Sequence, residues 1–152
     1  MAEHGIRIAG LNAVTRKLQA VNEFLGSTEP MQELCEDIRD LITVKTAAGK
    51  DYMNRNFEPY SEEYAKRKKK TRPDLRVKGE MMNSIEAKAE SHKRGYVDVR
   101  GRRQLIAFYH NEGGPKEGKP PKRRFMDISK TGLQKLVKKC FDDPIMKLLG
   151  RR

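Results

Sequence analysis

The side chains best suited to acid–base or metal chemistry are scattered along this sequence. The three histidines, His4, His92 and His110, lie far apart, and none stands at metal-ligand spacing from another candidate ligand. Only His110 and the following Asn111 suggest nuclease chemistry, which needs further histidine or aspartate ligands and usually paired cysteines. Because these are missing, we expect His110 to be structural and not catalytic.

The remaining reactive groups also form no recognisable site. The carboxylate pairs Glu62-Glu63 and Asp142-Asp143 are adjacent in sequence, and adjacent side chains do not face one another on a helix. The glycines of residues 111–118 are interrupted by proline and do not open a helix, so they do not predict a phosphate-binding loop. Cys35 and Cys140 form no CxxC pair and are expected to be free thiols in a reducing compartment. We predict no enzyme activity, no cofactor and no metal.

Clustered positive charge is the strongest functional signal. The 152 residues carry 33 lysines and arginines against 21 aspartates and glutamates, for a net charge of +12. Residues 1–49 carry −2, residues 50–99 carry +4 and residues 100–152 carry +10. Such a surface attracts phosphates of nucleic acid without reading sequence, or an acidic protein partner. The predicted basic surface comprises Lys66, Arg67, Lys68, Lys69, Lys70, Arg102, Arg103, Lys122, Arg123 and Arg124, with Arg100 and Lys119 beside them.

Two amphipathic helices are predicted to open the chain. Leu11, Val14, Leu18, Val21 and Leu25 are spaced three and four residues apart and form one apolar stripe that ends at Gly26. A second stripe begins after a cap at Ser27 or Thr28, tolerates Pro30 in its first turn and stops near Gly49. With an apolar fraction of only 36%, the core is expected to be thin and partly completed by neighbouring subunits.

The rest of the chain predicts a mixed fold. A charged stretch over residues 50–78 contains a short helix capped by Ser61. Residues 84–90 and 96–100 alternate apolar and polar side chains around a polar turn, which predicts a β-hairpin. The apolar run of residues 105–109 fits either a buried strand or a short helix, and the strand is the form we place in the order of elements. We therefore predict an α+β fold with an N-terminal helical pair (1–49) and a mixed region (50–152) in one structural unit.

The C-terminal third is predicted to be a loop followed by a helix. Glycines and prolines in residues 111–124 predict an exposed, flexible loop that carries arginines at its end. Ser129 is a suitable cap for the last helix, and Pro144 is expected to interrupt it. The amino terminus lacks the pattern of a signal peptide, and no run approaches the ~18 apolar residues of a membrane span, so a soluble protein is expected.

Four ordered features between residues 57 and 125 resemble the virion-morphogenesis, or tail-completion, family of tailed bacteriophages. They are an aromatic-X-Pro opening with a later Tyr and Lys, a Leu followed by a Gly-Glu-Met-Met-Asn-Ser-Ile segment, an apolar run ending in Tyr-His-Asn-Glu-Gly, and a Pro-Lys-Arg-Arg-Phe segment. The sequence departs from the family pattern where Lys78 and Met81 stand in place of Thr and Leu. The residues that carry the resemblance as structural positions are Phe57, Pro59, Tyr64, Gly79, Ser84, His110, Gly113, Pro121 and Phe125.

This resemblance implies a structural virion protein that acts in tail completion or head-tail joining at the neck. It implies a ring of identical subunits around the DNA channel, for which a hexamer is the first expectation, assembled in the bacterial cytoplasm. Its partners would be further copies of itself, neighbouring neck or tail proteins, and DNA through phosphate contacts. The alternative is an accessory protein that binds nucleic acid without sequence specificity and forms no ring.

Overall fold

The computed structural model describes residues 10–76, 79–114 and 120–150. In chain order the helices and strands are α1 (Leu11–Gly26), α2 (Glu29–Ala47), α3 (Glu62–Lys68), α4 (Glu80–Asn83), β1 (Ile85–Ser91), β2 (Arg94–Val99), α5 (Gln104–Glu112), α6 (Lys130–Val137) and α7 (Asp143–Leu148). A 3₁₀ turn over residues 101–103 precedes α5, and a π-helical turn over 138–142 joins α6 to α7. The predicted α+β class is confirmed.

The β-hairpin forms where the alternating pattern predicted it. Strands β1 and β2 pair antiparallel, with Ile85 opposite Val99 and Ala87 opposite Val97. Helix α2 packs against both strands, and the side-chain amide of Gln32 accepts from the Ala89 N–H at 2.8 Å and donates to the Ala87 carbonyl at 3.2 Å. Gln32 thereby satisfies backbone groups of β1 that a two-stranded sheet would otherwise leave unpaired at its edge.

Gly95 lets the hairpin lie directly on α2. A Cβ atom at this position would stand 2.4 Å from the Cys35 Sγ and 3.1 Å from the Lys88 carbonyl oxygen. Both distances are shorter than van der Waals contact, so only glycine fits between the strand and the helix. The close approach buries the Cys35 thiol beneath β2.

One buried cluster holds the chain together. Helix α2, the segment after it, α4, the hairpin, α5 and the segment before α6 all contribute to it. The N-terminal helices also contact the C-terminal ones, through Lys17 Nζ on the Leu149 carbonyl at 2.8 Å and Lys139 Nζ on Asp37 at 2.6 Å. The buried members are Ile42, Phe57, Leu75, Met81, Met82, Ile85, Val99, Ala107 and Phe125.

The structure corrects two predicted elements. Residues 105–109 form helix α5 and not a strand, and only Ala107 of that run is buried. The C-terminal helix also continues past Pro144, because the π-helical turn at residues 138–142 widens the backbone just before the proline ring. Pro144 then occupies the first turn of α7, directly after the π-helical turn.

None of the described helices is both long enough and apolar enough to cross a lipid bilayer.

Candidate functional site: the basic groove of helix α3

Helix α3 carries the longest basic run and is ordered by its own sequence. Ser61 caps it, with Oγ accepting from the Tyr64 N–H at 3.4 Å. Glu62 and Glu63 occupy the first turn, while Lys66, Arg67 and Lys68 occupy the last. Each sign of charge thus lies at the end of the helix that the backbone dipole favours, so seven residues suffice for a helix here.

Lys69 ends the helix in a conformation that lysine rarely adopts. Its φ of 55° and ψ of 31° are left-handed, and the next N–H, that of Lys70, donates to the Ala65 carbonyl at 3.2 Å. Glycine is the usual residue at such a helix end, because a side chain there costs roughly 1 kcal/mol. The left-handed turn reverses the chain, so the lysine run bends around the end of α3.

The bend creates an open groove of about 650 Å³ between α3 and the end of α2. Its lining residues include four basic ones, Lys66, Lys69, Lys70 and Arg72, and two acidic ones, Glu62 and Asp74, together with Thr71, Ala47 and Ala65. The stem of Arg72 lies against Gly49, where a Cβ atom would stand only 2.6 Å from the Arg72 Cγ. Gly49, itself at φ 70°, therefore makes room for Arg72 on the wall of the groove.

Asp74 neutralises only part of this charge. Its carboxylate accepts from Lys68 Nζ at 2.9 Å and from Lys70 Nζ at 2.7 Å. Although burial opposes ionisation, these two ammonium groups hold the pKa of Asp74 at about 2. Among the described residues, Lys66, Lys69 and Arg72 have no carboxylate within salt-bridge distance, so they remain free to meet an external anion.

Lys68 and Arg123 are structural cations, contrary to the prediction that they face a channel or partner. Lys68 Nζ donates to the Tyr60 hydroxyl at 2.8 Å and also binds Asp74. The Lys68 side chain is held between these two groups and is only 13% exposed. Arg123 is 3% exposed, lies 5.4 Å from the centre of the Tyr60 ring and donates from Nη2 to the Glu58 carbonyl at 3.1 Å. Its stem crosses the interior, so it does not project from a flexible loop.

Most of the other predicted basic residues are engaged within the chain. Arg103 forms an ion pair with Glu80, and Lys122 pairs with Glu112 at 2.8 Å. Arg124 pairs with Asp127 at 2.8 Å and lies over the Tyr52 ring, while Arg67 lies over Tyr64 and stays exposed. Arg102 is exposed and has no ion pair among the described residues. Lys119, like His4 and Lys78, lies outside the described residues.

His110 lies inside the protein and not in a catalytic cluster. Its Nδ1 is buried without a hydrogen-bond partner among the described residues, and its carbonyl accepts from the Arg123 N–H at 2.7 Å. Burial, together with the charges of Arg123 and Lys68, lowers the pKa of His110 below its usual value. The side chain lines a cavity of about 370 Å³ together with Leu75, Gly79 and Glu80, and the Glu80 carboxylate is bound in an ion pair with Arg103.

Of the residues that carry the family resemblance, some lie in the core or at turns, while others lie on helices or at the surface. Phe57 and Phe125 are buried at 6% and 2% exposure. Gly79 directly precedes α4 and has φ 80°, a left-handed conformation that glycine adopts readily, as predicted. Ser84 Oγ donates to the Glu80 carbonyl at 2.6 Å. The Ser84 carbonyl accepts from the Arg100 N–H and closes the base of the hairpin. Gly113 ends α5 at φ 83°, Tyr64 and Pro121 are half-buried, and Pro59 is exposed.

A second notable surface is the apolar stripe of α1. The predicted helix is present, but none of its side chains is buried. Leu11, Val14 and Leu18 are 53–59% exposed, and Leu25 is 42% exposed. Leu105 and Phe108 of α5 are also 60% and 56% exposed. Among the described residues, α1 and α5 thus each carry more than one apolar side chain that is over 40% exposed, while α2, α6 and α7 expose Val44, Leu133, Met146 and Leu148.

One three-residue acidic and thiol group was not anticipated from the sequence. Glu33, Asp37 and Cys140 lie close enough together for one metal ion. Lys139 Nζ already binds both carboxylates, at 3.4 Å and 2.6 Å, and the Cys140 thiol donates to Asp37 at 3.5 Å. Burial and the two carboxylates raise the pKa of Cys140 to about 11. Lys139 and the protonated Cys140 thiol therefore already occupy both carboxylates, and the group is a contact between helices.

No protein-family model, curated protein or solved structure matches this chain.

Proposed function

We propose that this chain is a structural, non-enzymatic subunit of a tailed-phage particle that acts in tail completion or head-tail joining. It assembles in the host cytoplasm into a ring of identical subunits, hexameric by first expectation, and its place is in the tail or neck of the virion. The resemblance of residues 57–125 to the tail-completion family supports the proposal, and four of the residues that carry it, Phe57, Gly79, Ser84 and Phe125, lie in the core or at turns.

The exposed apolar stripe of α1 is the observation on which the proposal rests. Full burial of a leucine or valine side chain contributes about 2 kcal/mol, so burying the exposed halves of Leu11, Val14, Leu18 and Leu25 contributes roughly 4 kcal/mol per subunit. A soluble monomer gains nothing from such a stripe, whereas an assembling subunit gains an interface.

A closed ring needs two different surfaces on each subunit, because every contact is between unlike patches. The α1 stripe and the exposed Leu105 and Phe108 of α5 are two such apolar patches on separate helices. We assign α1 of one subunit to the α5 face of the next. The basic surface is then left to face the DNA channel or an acidic neighbouring ring.

Size-exclusion chromatography with light scattering, at low and at high salt, tests this proposal. The chain should elute as one oligomer whose mass is a fixed multiple of the subunit, and high salt should strengthen apolar association. Replacing Val14 and Leu18 by glutamine should give monomers, while Val44→Gln, at a position 66% exposed on α2, should not. A stable wild-type monomer at both salt concentrations contradicts the ring.

The second candidate function is an accessory protein that binds nucleic acid non-specifically. The free cations of the α3 groove, Lys66, Lys69 and Arg72, are the observation that favours it. A monomer or dimer that binds DNA with a steep salt dependence would support this function over the ring.

A further inference from the structure

We infer that the α3 groove, lined by Lys66, Lys69, Lys70 and Arg72, is a binding site for the backbone phosphates of double-stranded DNA. The inference rests on the proposed function in one respect: DNA is the polyanion that a subunit around a DNA channel would meet. It assigns phosphate binding to one groove. It excludes from the DNA-binding residues five cations whose charges are engaged within the chain, Lys68, Arg103, Lys122, Arg123 and Arg124.

The charge balance of the groove favours an external anion. Its lining includes four cations and the carboxylates of Glu62 and Asp74. Asp74 is already bound by Lys70 and by the half-buried Lys68, and its low pKa keeps it ionised near neutral pH. Lys66, Lys69 and Arg72 thus bring three positive charges without an ion pair to one concave surface, against the single carboxylate of Glu62, so the groove stays positive.

Lys69 provides a separate line of evidence. The helix end requires a left-handed residue, and lysine occupies it at a cost of roughly 1 kcal/mol relative to glycine. Strain of this kind is held where the surrounding structure or a ligand uses the side chain. The Lys69 side chain lines the groove and has no ion pair among the described residues, so a ligand that binds its ammonium group explains the lysine.

The lining favours phosphates over an acidic protein surface. The buried centre of a protein–protein interface is rich in aromatic and large apolar side chains and poor in lysine. The apolar residues of this groove are only Ala47 and Ala65. A groove whose lining residues include three lysines and an arginine instead suits phosphate oxygens, which lysine ammonium groups bind as point charges.

The same lining favours a duplex over single strands. Binding of a single strand uses exposed aromatic rings on which bases stack. No aromatic residue lines this groove, and the nearby Tyr64 ring is held edge-on to Tyr60 at 4.8 Å with Arg67 over its face. Contact is therefore with the sugar-phosphate backbone, without base readout.

The test is fluorescence anisotropy of a short labelled DNA duplex over a range of salt. Three phosphate contacts per subunit, from Lys66, Lys69 and Arg72, predict a slope of about −2.7 for log K against log salt, which is about a fortyfold loss of affinity between about 50 and 200 mM salt. The variant Lys66→Gln/Lys69→Gly/Arg72→Gln should bring the slope close to zero and weaken binding about a hundredfold.

A matched control removes the same charge elsewhere. Lys88, Lys93 and Lys135 are exposed, have no ion pair among the described residues and lie outside the groove. The variant Lys88→Gln/Lys93→Gln/Lys135→Gln should keep affinity within about threefold of wild type, since distant charges act only through the screened field. Equal losses in the two triple variants would overturn the groove as the site.

Lys69→Gly separates binding from folding. It should reduce the salt slope by about one while the unfolding temperature stays level or rises, because glycine relieves the left-handed strain. A lower unfolding temperature would contradict the role assigned to Lys69. Polyglutamate serves as an acidic-protein probe, and binding to it as tight as to DNA, with the same loss in the groove variant, would overturn the choice of phosphate.

Light scattering on the same samples keeps this inference distinct from the ring. A wild-type oligomer that fails to bind duplex DNA would overturn the groove inference and leave the ring in place. A wild-type monomer that binds DNA, with the loss confined to the groove variant, would support the groove and contradict the ring.

Discussion

Replacing Asp74 by asparagine should destabilise the chain in a pH-dependent way. Lys68 and Lys70 bind this carboxylate, whose side chain is 13% exposed, and hold its pKa at about 2 against the ordinary 3.8. The difference corresponds to roughly 2 kcal/mol of folding stability. Because the folded pKa is the lower one, this stability is present above pH 3.8 and is lost as the pH falls towards 2.

Urea unfolding of wild type and Asp74→Asn at pH 7 and pH 3 measures this contribution. At pH 7 the variant should lose about 2–3 kcal/mol, since the half-buried Lys68 ammonium also loses its partner. At pH 3 the difference should shrink by roughly 1 kcal/mol, because the wild-type contribution has partly gone. Asp40→Asn, at a side chain 64% exposed, should change stability by less than about 0.5 kcal/mol.

A loss for Asp74→Asn that is the same at both pH values would refute this reasoning, and so would a loss no larger than that of Asp40→Asn. Either result would mean that the carboxylate does not bind the two lysines in the folded chain. The division of the basic run into structural and free cations would then be wrong.

Three further predictions follow from the buried contacts. Arg123→Leu removes the donors to the Glu58 carbonyl and should cost about 2 kcal/mol in urea unfolding, whereas a loss no greater than that of the exposed Arg102→Gln would contradict the structural role. Gly95→Ala places a Cβ against the Cys35 Sγ and should lower stability by at least about 2 kcal/mol, so an unchanged unfolding temperature would contradict the packing of the hairpin on α2. Burial raises the pKa of both Cys35 and Cys140, so a disulfide-exchange reagent at neutral pH should label them only after denaturation; labelling of the native chain would contradict their burial.

Periodicity and caps predicted much of the fold because these signals are local. The α1 and α2 stripes, the Ser61 and Ser129 caps and the hairpin all lie where the pattern placed them. Residues 105–109 were misplaced because a short apolar run satisfies a strand and a helix equally. Its exposed Leu105 and Phe108 are compatible with a helix that keeps only Ala107 inside.

The candidate site was predictable only in part. The basic run correctly indicated α3 as a basic surface. Which of its lysines are engaged depends on Asp74 and Tyr60, and their contacts with Lys68 are tertiary contacts that the sequence does not reveal. Arg72 was missed because the sequence places it after the run, and the turn at Lys69 brings it to the same groove. The sequence predicted a surface position for Arg123, because no local pattern distinguishes an arginine that is buried against an aromatic ring from an exposed one.

Negative-stain electron microscopy of the purified chain tests the central claim most directly. The proposal predicts closed rings of one subunit number with a central opening, absent when Val14 and Leu18 are replaced by glutamine, because the α1 stripe supplies the contact. Single small particles for the wild-type chain, with no ring at any salt concentration, would contradict it.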